Sequence, residues 1–169
     1  MGRWRPPPPV SSKYITPEGK KRLEEELDFL WRKKRPEVTK AVSDAAAEGD
    51  RSENAEYIYR KKQLREIDSR VRFLRKRLEN MKAVDSIPDD QSRVFFGAWV
   101  TVEDEAGKEI RYRIVGPDET EFQKEYISMD APLGKSLMGK GLDAEVEVET
   151  PQGKKLLCIV DIEYEGQQN

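Results

Sequence analysis

Five acids crowd one short stretch of the chain. Between residues 44 and 56 stand Asp44, Glu48, Asp50, Glu53 and Glu56, with Arg51 as the one base. Just beyond, Arg60, Lys61, Lys62 and Arg65 form a basic cluster, in which Lys61 and Arg65, four apart, share a helix face. Carboxylates suit Mg²⁺, which typically takes one or two of them from a protein and completes its shell with waters and a partner's phosphates. Two exposed carboxylates are therefore half a metal site, to be completed by another molecule. Two-metal phosphodiester chemistry holds its ions about 4 Å apart, and an acidic point could steady the second ion while the basic cluster follows a polyanion. Plainer readings exist beside this one. Asp50 can N-cap a helix with Glu53 three residues on completing a capping box, and Lys-rich helix surface is often only solvated. Asp44 and Glu48 argue for more than capping, because they lie near the end of the preceding helix, where the macrodipole disfavours acids.

The rest of the composition removes most other chemistry. There is no histidine, and Cys158 is the one cysteine. A Ser-His-Asp or Cys-His nucleophile cannot be built, nor a Cys/His zinc site within one chain. An intrachain disulfide is impossible, which fits a reducing compartment. No apolar run approaches the ~20 residues that span a bilayer, and Met1 to Val10 lacks the apolar stretch of a secretory signal. A cytoplasmic protein without a membrane partner is expected. Any chemistry must use carboxylates, lysines, hydroxyls or a borrowed active site.

Two long helices must carry the acids and bases. Thr16-Pro17-Glu18 is a start signal, with Thr16 as N-cap and Pro17 at the first helical position. Apolar residues follow at Leu23, Leu27, Leu30, Trp31, Val38, Ala41, Val42 and Ala45, and Gly49 stops the run. In the second helix Leu64, Ile67, Val71, Leu74, Leu78 and Met81 are spaced 3, 4, 3, 4, 3, a heptad seam. In an antiparallel hairpin, facing positions have a constant sum of residue numbers. Leu23 with Leu78, Leu27 with Leu74 and Leu30 with Val71 give 101, while Val38 with Leu64 and Ala45 with Tyr57 give 102. This reads as one fixed register over residues 13–84, with the turn near 49–53 and a reach of roughly 40 Å. Pro36 removes a helical hydrogen bond and is expected to bend the first helix.

Around this rod, residues 1–12 (MGRWRPPPPVSS) read as a Pro-rich tail expected to be disordered. Residues 85–93 form a polar linker. Beyond it the period changes to strands over 94–103, 109–115, 126–128, 144–149 and 156–164, with a short helix over 133–138. The class is α+β, with a mostly antiparallel sheet. Residues 13–84 carry 20 basic and 14 acidic side chains, net +6, and residues 85–169 carry 9 and 19, net −10. A basic rod joined to an acidic globule suggests separate partners for the two parts.

The segment Gly49-Asp50-Arg51-Ser52-Glu53-Asn54-Ala55-Glu56-Tyr57 resembles the tip signature of the bacterial Gre transcript cleavage factors. Arg35-Pro36-Glu37 matches their recurring RP-E step. Arg51-Ser52, Arg60-Lys61-Lys62 and Val94-Phe95-Phe96-Gly97-Ala98-Trp99-Val100 are similar to the GreB branch more than to GreA. Arg113-Ile114-Val115-Gly116 and Tyr126-Ile127-Ser128 continue the likeness, which covers about residues 13–165. The resemblance implies an N-terminal antiparallel coiled coil followed by an FKBP-like domain over 94–169. It implies a monomeric accessory factor, itself no enzyme, that binds the secondary channel of RNA polymerase and stimulates that enzyme's Mg²⁺-dependent cleavage of backtracked transcripts. By position, Asp50 and Glu53 match the acids that help hold the second Mg²⁺, shared with the polymerase and not bound alone. Lys61 matches a position near the transcript's 3′ end, extended by Arg60, Lys62 and Arg65, with DNA contacted only weakly or indirectly. Asp130 and Pro132 match polymerase-docking residues. Ala131 stands where the family usually has Ser, and Leu142-Asp143 where Gly-Asp is usual. Rival readings are a non-cleaving secondary-channel regulator, an FKBP-like peptide-binding or isomerase module, and a bare structural coiled coil.

Overall fold

The computed structural model describes residues 11–49, 53–85 and 87–165. The Pro-rich segment before Ser11, and Asp50, Arg51 and Ser52, fall outside them. The chain divides into two compact units, one spanning residues 20–81 and the other combining the chain on either side of it.

The first unit is a helical hairpin. Helix α1 (Pro17–Phe29) passes through a π-helical turn (Leu30–Lys34) into α2 (Arg35–Ala46), and α3 (Ala55–Asn80) returns. Thr16 caps α1 as its sequence indicates, its Oγ1 accepting the Gly19 N–H at 3.1 Å. Val38, Ile67 and Val71 are buried in one cluster, with Leu27, Leu30, Val42 and Leu64 packed against them. Pairs expected to face each other, Leu30 with Val71 and Val38 with Leu64, thus share one core. Arg35 Nε meets Asp68 Oδ1 at 2.7 Å, and Arg70 grips Glu26 through Nε and an Nη at 2.7 and 3.0 Å.

The single register needs correction. A π turn holds one residue more than the α turn it replaces, and the Arg35 N–H bonds to the Leu30 carbonyl five residues back. This insertion separates the pairs that sum to 101 from those that sum to 102. It also accommodates Pro36, which sits in the first turn of α2, where its missing N–H does not interrupt a regular α ladder.

In the second unit, β1 (Tyr14–Ile15) pairs in parallel with β2 (Lys82–Ala83), a two-residue contact that the sequence reading did not foresee. The main sheet comprises β3 (Trp99–Glu103), β4 (Glu109–Val115), β5 (Tyr126–Ser128), β6 (Glu145–Thr150) and β7 (Gly153–Glu163), in the order β5-β4-β3-β7-β6. All neighbours are antiparallel except β4 and β5. The short helix α4 is Pro132–Leu137. In β6, Val146 and Val148 point to the core while Glu145, Glu147 and Glu149 face solvent, the period-2 pattern of a one-sided sheet. Val94, Val100, Val102, Ile114, Leu137 and Ile159 lie at the centre of the core. The expected strand from Val94 starts late, at Trp99, because Ala98 N–H closes a turn onto Phe95 O.

Glu119 is fully buried and accepts from Thr16 N–H at 3.0 Å, Gly116 N–H at 2.8 Å and the Thr16 hydroxyl. These donors offset the desolvation of the carboxylate. They also tie the residue that caps α1 to the segment following β4.

Candidate functional site

The acidic turn is built by the ends of α2 and α3. Ala47 is the C-cap of α2, and Gly49 turns the chain at φ +136°, a conformation open to glycine and costly for other residues. Helix α3 begins at Ala55, and its N-cap is Asn54, whose Oδ1 accepts the Tyr57 N–H at 3.0 Å. The capping box expected from Asp50 and Glu53 is therefore not formed, since Glu53 precedes the cap and stands outside the helix. The reason is tertiary. The Nδ2 of Asn54 donates to the Ala45 carbonyl at 2.7 Å, in the last turn of α2, where carbonyls run out of regular helical partners. One amide serves both helix ends, and an aspartate could serve only α3. The signal that marks Asn54 is its type, since Asn is among the best N-cap residues.

Freed from capping, Glu53 is exposed, as are Asp44 and Glu48. Asp50, the other acid of the proposed pair, lies outside the described residues. Glu56 is engaged elsewhere, meeting Arg60 Nε at 2.8 Å, and Arg60 also reaches Gln63 at 3.0 Å. The hydrogen bond to Glu56, foremost, raises the Arg60 pKa further. Arg60 thus belongs to a local pair, while Lys61, Lys62 and Arg65 are exposed. The Lys61 ammonium lies 5.5 Å from the Tyr57 ring centroid.

Among the described residues, no group of three or more His, Cys, Asp or Glu side chains gathers to hold a metal ion. Glu53 fits a single hard ligand, an exposed carboxylate on a turn fixed by Asn54. A lone carboxylate of this kind can complete a Mg²⁺ shell supplied mostly by another molecule.

Pro132 and Asp130 lie together in the second unit. Pro132 is exposed at the first position of α4. The Asp130 carboxylate is half-buried and already held, accepting the Ser12 N–H at 2.8 Å and the Ser12 hydroxyl. Ser12 belongs to the segment expected to be a disordered tail, and no local spacing pairs residues so distant in sequence. Ala131 is the N-cap of α4 and offers no side-chain hydrogen bond there. Asp143 takes φ +66°, a left-handed conformation that Asp tolerates better than most residues.

The N-terminal model of the transcription elongation factors GreA and GreB matches residues 13–82, and the C-terminal GreA/GreB model matches residues 89–164. The chain is 63% identical over 164 residues to transcription elongation factor GreB of Pseudomonas aeruginosa, covering 97% of this chain and 98% of that protein. It is 56% identical over 165 residues to transcription elongation factor GreB of Xanthomonas axonopodis, covering 97% and 98%. A solved structure of GreA factor homolog 1 from Thermus thermophilus matches at 24% identity and a TM-score of 0.40, covering 89% of this chain and 97% of that one. With both family halves matched in order along nearly the whole chain, the protein belongs to the GreA/GreB family of transcription elongation factors.

Proposed function

We propose that this elongation factor binds RNA polymerase at its secondary channel and stimulates the polymerase's own cleavage of backtracked transcripts. The observation that carries the reading is the exposed Glu53, released from the helix because Asn54 takes the cap and clamps the turn to Ala45. With Asp50, Glu53 would supply carboxylate oxygens to a Mg²⁺ ion shared with the polymerase. When bound, that ion supplies charge stabilisation and activation of water. This chain's own work is to bind, orient and present. Asn54 joins the ends of α2 and α3 beside Glu53, and Lys61, Lys62 and Arg65 attract the phosphates of the extruded 3′ segment. Asp130 and Pro132 are the proposed docking contacts. The chain acts as an accessory factor in the cytoplasm, with the hydrolysis performed by the polymerase.

The isomerase alternative has little support. A cleft of about 430 Å³ in the second unit is lined by charged Glu18, Asp85, Arg113 and Glu165 as well as by Pro17, Val84, Ile87, Phe96 and Tyr164. A proline ring would prefer a mostly apolar lining. The deciding experiment adds purified protein to stalled, backtracked elongation complexes with Mg²⁺ and follows the RNA on a gel. Shortened transcripts that resume extension support the proposal. Polymerase binding without cleavage would favour the non-cleaving regulator.

A further inference from the structure

Midway along the hairpin, well away from the acidic turn, Trp31 is 45% exposed. The Arg75 guanidinium carbon lies 4.4 Å from its ring centroid and that of Arg35 5.3 Å away. An open cavity of about 380 Å³ begins at this ring, with Arg72, Arg75 and Lys76 on its wall and Val71 at its apolar edge. Two acids also line it, but Asp68 is already paired with Arg35, leaving Glu79 against three exposed cations. Arg72, the member nearest the cluster at 60–65, lies seven residues beyond Arg65 on α3, about 10 Å along the axis, and the ring of Trp31 sets this place apart from that cluster. Arg72 and Lys76 share one face of the helix four residues apart.

We infer that the Trp31–Arg75 stack, with Arg72 and Lys76, is a binding site for single-stranded RNA. A base stacks on the ring or on the guanidinium plane held against it, and the neighbouring cations meet its phosphates. Stacking on aromatic and arginine planes within a basic groove is how single strands are held without sequence preference. An acidic protein surface is the competing occupant. Trp and Arg are also common at protein interfaces, but this cavity offers one ring and an edge valine among five charged side chains, a stacking plane within a charged groove rather than an apolar patch, and that favours a single strand. The inference rests on the reading that the chain handles transcript, and its test is independent of cleavage.

The experiment uses the full chain carrying Trp4→Phe, so that Trp31 and the largely buried Trp99 are the remaining tryptophans. A 12-nucleotide oligo(U) and an oligo(A) of equal length are titrated at low salt while indole fluorescence and RNA anisotropy are followed. Long-chain inorganic polyphosphate, which has the charge but no bases, is the control. Both RNAs are expected to quench the indole signal while polyphosphate binds without quenching. Trp31→Leu should abolish the quench and weaken RNA binding about tenfold, with Trp31→Phe regaining part of that affinity. The double variant Arg72→Ala with Lys76→Ala should lower the salt slope by about 1.4. RNA binding that leaves Trp31 silent, equal quenching by polyphosphate, or unchanged affinity in Trp31→Leu would each overturn the site. Silence toward RNA with quenching by RNA polymerase would reassign the ring to a protein contact. Loss of this site with transcript cleavage intact would leave the proposed function standing.

Discussion

Asn54 rather than an acid decides the geometry of the acidic turn. Its amide accepts from Tyr57 N–H and donates to the Ala45 carbonyl, and aspartate can do only the first. Asn54→Asp should keep the cap and lose the bridge, and Asn54→Ala should lose both at about 1 kcal/mol for the cap alone. Thermal melts should rank wild type above Asn54→Asp and Asn54→Asp above Asn54→Ala. Equal stability of wild type and Asn54→Asp would remove the bridge from the account. Asp50 reads as the cap because Glu53 stands three residues on, whereas Asn54 is selected by a carbonyl on the other helix, which spacing does not show. Thr16 was legible because its cap bond runs only to Gly19, inside the window that spacing describes.

At the scale of the element, two local sequence rules give the wrong sign. Gly19 lies in α1, where alanine would ordinarily gain about 1 kcal/mol. A Cβ there would stand 2.1 Å from the buried Glu119 carboxylate oxygen. Gly19→Ala should therefore destabilise, and urea denaturation showing a gain would contradict the packing of Glu119 against the first turn. Pro36 is the second case. A proline inside a regular helix costs about 3 kcal/mol, but the π turn over Leu30–Lys34 already absorbs the interruption. Pro36→Ala should change stability by less than about 1 kcal/mol, and a gain near 3 would mean that the turn does not accommodate it. The one-residue step in the seam sums was present in the sequence. Taken as one fixed register, with Pro36 as a separate bend, the sums do not disclose an inserted residue. The strands β4 and β5 were read to the residue from alternation and turn signals. The pairing of β1 with β2 was not, because two residues per strand carry no periodicity and their partners lie far apart in sequence.

For the whole molecule, the division between a basic hairpin and an acidic α+β unit was legible from charge and period alone. The state of the docking residues was not, since it depends on Ser12 meeting Asp130. Asp130→Lys should weaken polymerase binding at least tenfold in a pull-down or anisotropy titration. Ser12→Ala removes the hydroxyl bond to this carboxylate while the backbone N–H bond stays, and should bind at least as well as wild type. If Ser12→Ala weakens binding as much as Asp130→Lys, the carboxylate serves the fold rather than the partner. The central claim is that the carboxylates of Asp50 and Glu53, not capping, carry the activity. Its most direct measurement is a Mg²⁺ titration of transcript cleavage in stalled complexes at saturating factor, comparing wild type with Asp50→Asn and Glu53→Gln combined. Because Asn54 holds the cap, the double variant should melt and bind polymerase like wild type. Its cleavage should fall by at least two orders of magnitude, and the residual activity should require more Mg²⁺, since amides are poorer ligands for a hard cation. A double variant that folds, binds and cleaves at the wild-type rate and Mg²⁺ requirement would contradict the account.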